Sequence, residues 1–373
     1  MTALHPIRFQ PDMEVVPEDE AQTTAELIEA LHTIQAITTE DYPTAVRSVH
    51  AKSHGIVKGT VQVLDNLPPQ LAQGLFAKPA HYPVVMRFST NPGDILDDRV
   101  STPRGLALKI MLPDDAATEG GVAAGLDGTF SQDFVMQNAP KFTAPTPKAF
   151  LGNLKLLAKT TDKAEGLKVA LSAVLRGTES LIEKVGSESG AIKSMGGHPM
   201  THVLGETFYT MVPLLYGEYY GKVSVAPVSP GLQSLTDQAV SLKDNPDGLR
   251  AAVVAFFSQN DAEWEIRVQL AADREQFPIE DASQEWPESV SPYVAVARIT
   301  VPKQDAWSAE VERSIDQCSG FSPWHCLSAH RPLGGIMRSR KPAYEASQRH
   351  RFSANGCPFA AAAAAKNPTQ TPD

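Results

Sequence analysis

Leu27, Ile28, Leu31 and Ile34 recur at helical spacing on one face, so residues 20–37 are expected to form an amphipathic helix. The pattern then changes period. Between His54 and Leu64, apolar positions at Ile56, Val57, Val61 and Val63 interleave with polar ones, the mark of a half-buried strand. Tyr82–Thr90, Gly105–Leu112 and Gln132–Asn138 form three more such segments, rich in β-branched or aromatic residues. A Gly/Ala/Asp-rich loop, Pro113–Gly128, separates the last two. Helical spacing returns over Phe150–Lys184, first through Leu151, Leu154 and Leu157 and later through Leu171, Val174 and Leu175.

The second half repeats the order. Tyr219–Val228, Glu263–Leu270 and Tyr293–Val301 are expected as strands, and Leu249–Phe257 fits either helix or strand. Ser322–Ala354 is expected as a helical stretch broken near Pro332-Leu333-Gly334-Gly335. From Gly356 the chain turns Ala-rich and then polar, the composition of a loose tail. Seven or eight strands without regular strand–helix alternation imply an antiparallel sheet, and closing it removes exposed edges. The expected architecture is α+β: an antiparallel barrel of about eight strands wrapped by helices. It would form one domain over residues 1–355, with a flexible tail over 356–373.

Composition narrows the function. With 33 basic against 43 acidic residues the net charge is -10, which argues against nucleic acid and against a basic membrane-binding patch. There is no run of about 18 apolar residues to span a membrane, and Met1–Glu20 lacks the apolar core of a signal peptide. Cys318, Cys326 and Cys357 are too few for a disulfide framework and are not spaced for zinc, so they are read as reduced thiols. A cytoplasmic location follows.

The candidate chemistry sits in two distant segments. Arg47-Ser48-Val49-His50-Ala51-Lys52 offers an imidazole and cations; Arg340-Lys341-Pro342-Ala343-Tyr344, with Arg351 beyond, offers a phenol. Arg340 and Tyr344 are four apart, hence on one helix face. Tyrosine is an axial ligand of haem iron in some proteins, and a guanidinium beside a phenol oxygen favours the phenolate that ferric iron needs.

Five motifs then occur in one order: Arg-Ser-Val-His-Ala-Lys at 47–52, Val-Met-Arg-Phe-Ser-Thr at 85–90, Pro-Arg-Gly at 103–105, Asp-Phe-Val-Met-Gln-Asn-Ala-Pro at 133–140 and the Arg340/Tyr344/Arg351 helix. On these the chain resembles the haem catalase superfamily from about Arg47 to Arg351, and in particular its short branch, the catalase-related peroxidases. The resemblance implies haem b (iron protoporphyrin IX) as cofactor, with Tyr344 ligating the iron and Arg340 holding its phenolate. It implies that His50 acts on the peroxide with Asn138 beside it, that Ser89 hydrogen-bonds the His50 ring, and that Val49 packs on the porphyrin. Arg47, Arg87 and Arg351 would meet the propionates, which guanidinium forks suit better than ammonium groups do.

The implied activity is reduction of hydrogen peroxide or organic hydroperoxides through a ferryl intermediate. A small organic electron donor and a homo-oligomer are the implied partners. Full-length catalases carry longer arms and a further domain, so a shorter and wider channel is expected here. Three alternatives remain open, the blandest a haem-free lipid-binding barrel, which leaves the Arg340/Tyr344 pair unexplained. An allene oxide synthase-like hydroperoxide isomerase would carry a hydroxyl residue before the distal histidine, where this chain has Val49. A non-catalytic haem-binding barrel would not need His50 and Asn138.

Other residues have blander readings. His198 and His202 have a helical metal-ligand spacing, but Gly196, Gly197 and Pro199 oppose a helix there. His325, His330 and His350 are expected to be packing or surface residues. Phe208, Tyr209, Tyr216, Tyr219 and Tyr220 are expected to line the core or a channel, and Asp94, Asp97 and Asp98 a solvated turn. A Cys326–His325 nucleophile lacks a third group.

Overall fold

The computed structural model describes residues 5–113, 125–158 and 198–361. Nine strands form one antiparallel sheet: β1 (Ser53–Val63), β2 (His81–Thr90), β3 (Arg104–Met111), β4 (Ser131–Gln137), β5 (Phe208–Tyr209), β6 (Leu214–Tyr216), β7 (Tyr219–Pro227), β8 (Ala262–Leu270) and β9 (Val294–Val301). Their order is β5-β4-β3-β2-β1-β9-β8-β7-β6, and β5 also pairs with β7. That last pairing closes eight strands into a barrel, with β6 attached outside the ring to β7. The expected α+β barrel is therefore present. Its seven long strands match the periodic segments, whereas β5 and β6 are too short to carry a readable period.

Alternation along each strand sorts side chains into two faces. Val84, Met86 and Phe88 of β2, Leu106, Leu108 and Ile110 of β3, and Phe134 and Met136 of β4 all point into the barrel, where they join Trp264, Ile266 and Ile299 in the main core. The opposite face of these three strands carries Val85, Arg87 and Ser89, then Gly105, Ala107 and Lys109, then Asp133, Val135 and Gln137. This outward face is itself mostly covered, with Arg87, Ser89, Lys109 and Asp133 all buried.

Four longer helices occur among the described residues: α1 (Glu20–Asp41), α2 (Pro147–Ala158), α3 (Gly248–Phe257) and α4 (Gly335–Ala354). The segment left open between helix and strand, Leu249–Phe257, is thus helical. The stretch expected as helix from Ser322 is helix only from Gly335, and residues 322–334 run as turns with a short 3-10 piece at Ser328–His330. Gly334 explains the break. Its φ is +83°, and a Cβ there would lie 2.6 Å from the Ile279 carbonyl, so only glycine turns the chain into α4. The first helical amides find acidic partners: Gly334 N donates to Glu14 Oε1 at 3.0 Å and Gly335 N to Glu280 Oε2 at 2.8 Å. α1 packs on α2 through Leu27, Ala30, Ile34, Leu151 and Leu154, and is tied to α4 by Thr24 Oγ1–Ser339 Oγ at 2.9 Å.

Two expectations are corrected. Cys318 and Cys357 form a disulfide, with Cα atoms 5.4 Å apart, and only Cys326 is free. Their separation of 39 residues in sequence hides the proximity, because Arg351 near the end of α4 binds the backbone on either side of Cys318, at Asp316 O and Ser319 O. Cys357 is buried beside Leu126 and Phe352. The acidic turn is not solvated either. Asp98 is 2% exposed and pairs with Lys52 at 2.9 Å, while Asp97 is bound by Arg99 at 2.6 Å. The helix expected to reach Lys184 is described only to Ala158; its later part, most of the Pro113–Gly128 loop, and residues 362–373 lie outside the described residues.

Candidate active site

The covered outward face of β2, β3 and β4 is one wall of a cavity that is partly open to solvent. Arg87, Ser89, Gly105, Ala107 and Val135 come from that wall, Arg47 to His50 from the segment before β1, and Ala343, Tyr344, Ser347 and Arg351 from α4. The strand positions at its middle, Gly105, Ala107 and Val135, are small. They leave flat apolar space between sheet and helix, with Phe321 and Tyr344 packed on Ala107 and Val135.

His50 enters this space from an unusual backbone. Its φ is +54°, in the left-handed region that non-glycine residues seldom occupy. The conformation is held by His50 N donating to Asn91 O at 2.9 Å, Ala51 N to Pro92 O at 2.9 Å, and Arg87 Nη2 to His50 O at 2.9 Å. The imidazole Nδ1 lies 3.1 Å from Ser89 Oγ, and Nε2 lies 3.3 Å from Gln137 Nε2. Room for the ring comes from Gly105, where a Cβ would sit 2.5 Å from both Nδ1 and Cε1 of His50. Burial first, then the charges of Arg87, Arg340 and Arg47, push the His50 pKa down to about 3. The imidazole is neutral at any ordinary pH.

On α4, Arg340 Nη2 donates to the Tyr344 hydroxyl oxygen at 2.7 Å, the contact expected from their spacing. Arg47, Arg87 and Arg351 converge as a group on the 316–319 segment. Asp316 Oδ1 accepts from Arg47 at 2.9 Å and from Arg87 at 2.6 Å, and Arg351 donates to Ser319 O at 2.9 Å. Burial alone would raise the Asp316 carboxyl, but Arg87 and Arg47 outweigh it and hold it below the usual carboxylate range. Sequence reasoning missed Asp316, because a lone Asp in a polar helical turn carries no pattern.

Asn138 stands one residue past Gln137 and is turned to the other side. Its Oδ1 accepts from Arg104 N at 2.9 Å, and its Nδ2 reaches Glu206 Oε2 and lies 2.6 Å from His198 Nε2. Burial raises the pKa of Glu206 against the opposing pull of Arg104. His198 is thus a neighbour of Asn138. His202 accepts from Leu204 N at 3.2 Å as the cap of a 3-10 turn, and no metal-binding cluster occurs among the described residues. His330 packs internally, accepting from Leu75 N at 2.9 Å. His325 binds the buried Asp133 at 3.2 Å. Cys326 has its thiol pushed up to about 12 by burial, so it offers no thiolate nucleophile.

A sequence model of the family described as Catalase matches residues 16–364. The chain belongs to the catalase family. Three solved structures share its fold: a fungal catalase (16% identity, TM-score 0.59, covering 87% of this chain and 64% of that one), catalase A from Saccharomyces cerevisiae (17%, 0.57, 96% and 71%) and a bacterial catalase (16%, 0.58, 98% and 66%). The chain thus spans about two thirds of the length of these catalases. No curated protein matches it in sequence.

The cavity of this catalase-family chain can be tested against the family's haem. Three guanidiniums gather at one edge, and among the described residues Asp316 is the only carboxylate that forms ion pairs with them. Arg351 Nε is buried without a hydrogen-bond partner among the described residues. A flat apolar group bearing two carboxylates fits such a site.

Proposed function

We propose that this chain is a haem-dependent hydroperoxidase acting on hydrogen peroxide, with organic hydroperoxides as further substrates and a small organic molecule as electron donor. The observation that carries this reading is the shared cavity of His50 and Tyr344, with three arginines at its edge. Haem b would be held by Tyr344 at its iron, by Arg47, Arg87 and Arg351 at its carboxylates, and by packing on Val49. When bound, it would supply the redox-active iron.

The chain's own part is proton handling and positioning. With His50 Nδ1–H donated to Ser89 Oγ, Nε2 presents a lone pair to the cavity. A peroxide O–H can pass its proton to that nitrogen. The imidazole can then return that proton to the other peroxide oxygen. Arg340 keeps the Tyr344 oxygen oriented by the hydrogen bond it donates. Val49 lines the cavity where the isomerase branch would need a hydroxyl, which favours peroxide reduction over isomerisation.

The deciding experiment is the oxygen released per hydrogen peroxide consumed by purified, haem-loaded protein. One oxygen for two peroxides would mark dismutation. Peroxide loss with little oxygen, accelerated by an added donor, would mark a peroxidase. Haem-loaded protein inert toward every peroxide would overturn the proposal. Tyr344→Phe should weaken haem retention and shift the ferric absorbance spectrum; an unchanged spectrum would remove the axial-ligand assignment.

A further inference from the structure

We propose that Gln137, rather than Asn138, is the carboxamide that faces the substrate beside His50. The proposal rests on the hydroperoxidase reading and assigns one of its parts. Strand alternation carries it. Val135 packs outward against Phe321 and Tyr344 while the Met136 side chain lies in the barrel core, so the next outward position on β4 is Gln137, whose side chain reaches His50 and Asn91. Asn138, one step further, falls on the other side.

The hydrogen bonds agree with that placement. Gln137 Nε2 donates to Asn91 Oδ1 at 2.9 Å and lies 3.3 Å from His50 Nε2, the nitrogen left with a lone pair when Nδ1–H is given to Ser89. Asn91 also supplies the carbonyl that binds His50 N, so one residue fixes both partners. The carboxamide of Asn138, in contrast, is fully engaged: its oxygen takes the Arg104 amide, and its nitrogen faces Glu206 and His198. To reach His50 it would have to leave the buried Glu206 carboxyl, which also accepts from Thr201 at 2.8 Å. Gln137 has no such tie beyond Asn91.

A peroxide entering beside His50 would take over the second N–H of Gln137. As the peroxide proton moves to His50 Nε2, negative charge develops on the oxygen it leaves, and a fixed N–H donor stabilises that oxygen without titrating. The longer side chain of glutamine suits a donor that must reach from the strand end.

The test compares Gln137→Leu, Gln137→Glu and Asn138→Leu, each loaded with haem and each also studied haem-free. Gln137→Leu removes the donor. Gln137→Glu keeps the shape and replaces the donor by an acceptor, so it guards against a packing artefact. Both should lower peroxide turnover by about 100-fold or more at unchanged haem content, the usual size for one lost donor. In haem-free protein both should move the His50 imidazole nitrogen resonances, while Asn138→Leu leaves those resonances in place. The proposal is overturned if Gln137→Leu keeps wild-type turnover and His50 resonances while Asn138→Leu loses both. Wild-type protein inert toward peroxide would sink the functional reading alone, and the resonances would still decide whether Gln137 is the partner of His50.

Discussion

β2 to β4 and β8 to β9 belong to one barrel and share one inward core, yet their outer faces differ. On β8 and β9 the outward residues Glu263, Glu265, Arg267, Arg298 and Thr300 keep contact with solvent, and burial alternates over 262–268 and 297–301 as expected for a wall facing water. On β2 to β4 the outward residues Arg87, Ser89, Ala107, Lys109, Asp133 and Val135 are buried too, and burial runs nearly unbroken along β3. Both faces use arginine–carboxylate pairs. Arg298 with Glu263 and Glu265 keeps 44% of its side chain exposed, whereas Arg87 with Asp316 keeps 3%. The same residue types thus serve as solubilising charge on one wall and as a recognition edge on the other. What separates them is the cover supplied by α4 and the 316–327 segment.

Removing charge from the two walls should expose the contrast most sharply. Asp316→Ala strands the buried Arg87 and the part-buried Arg47 guanidiniums and should cost about 3–5 kcal/mol of stability in haem-free protein. The cost should shrink when haem is added, and denaturant melts with and without haem measure both. If the two melts shift equally, the arginines do not serve a bound dianion. Gly105→Val pushes a side chain into the His50 ring position and should reduce peroxide turnover by about 100-fold. Retained turnover would show that the imidazole has another place to sit.

Acid should weaken the fold through neutral buried histidines. Burial, first among their causes, lowers His50 to about 3 and His202 and His330 to about 4. Above their ordinary value near 6.5 these groups are neutral in both states and contribute no pH dependence. As pH falls below it the unfolded chain binds protons that the folded chain refuses, so stability declines from about pH 6.5 toward pH 4. His330→Gln should flatten that slope measurably in melts taken across this range. The smallest effect is expected on the solvated wall, where Arg298→Ala should change stability by about 1 kcal/mol or less. A larger loss there would mean that the outer face of β8 and β9 is covered in the working protein.

Much of this was legible because two periods were clean. The long strands and α1 announced themselves by alternation and by helical spacing, and the order of the motifs brought His50, Ser89, Arg340 and Tyr344 forward as a set. What stayed hidden depended on long-range proximity. Asp316 reads as one acid among many until three arginines from elsewhere surround it. The disulfide could not be seen from spacing, because its geometry is created where Arg351 near the end of α4 binds the backbone on either side of Cys318. Gln137 was legible in principle, since counting outward positions from Arg87 and Val135 selects it over Asn138. A motif matched as a block conceals the strand parity inside it.

The bond between Cys318 and Cys357 makes the stretch between them a closed covalent ring. Tyr344, Arg340 and Arg351 all lie within that ring, while His50 and Gln137 lie outside it. In the chain-entropy description, a loop of this length restricts the unfolded chain by about 4 kcal/mol. One half of the cavity is therefore tethered independently of the barrel. A reductant added to protect the Cys326 thiol would cut the tether and loosen the helix that carries the phenol, so the choice of purification buffer becomes part of any haem-loading result.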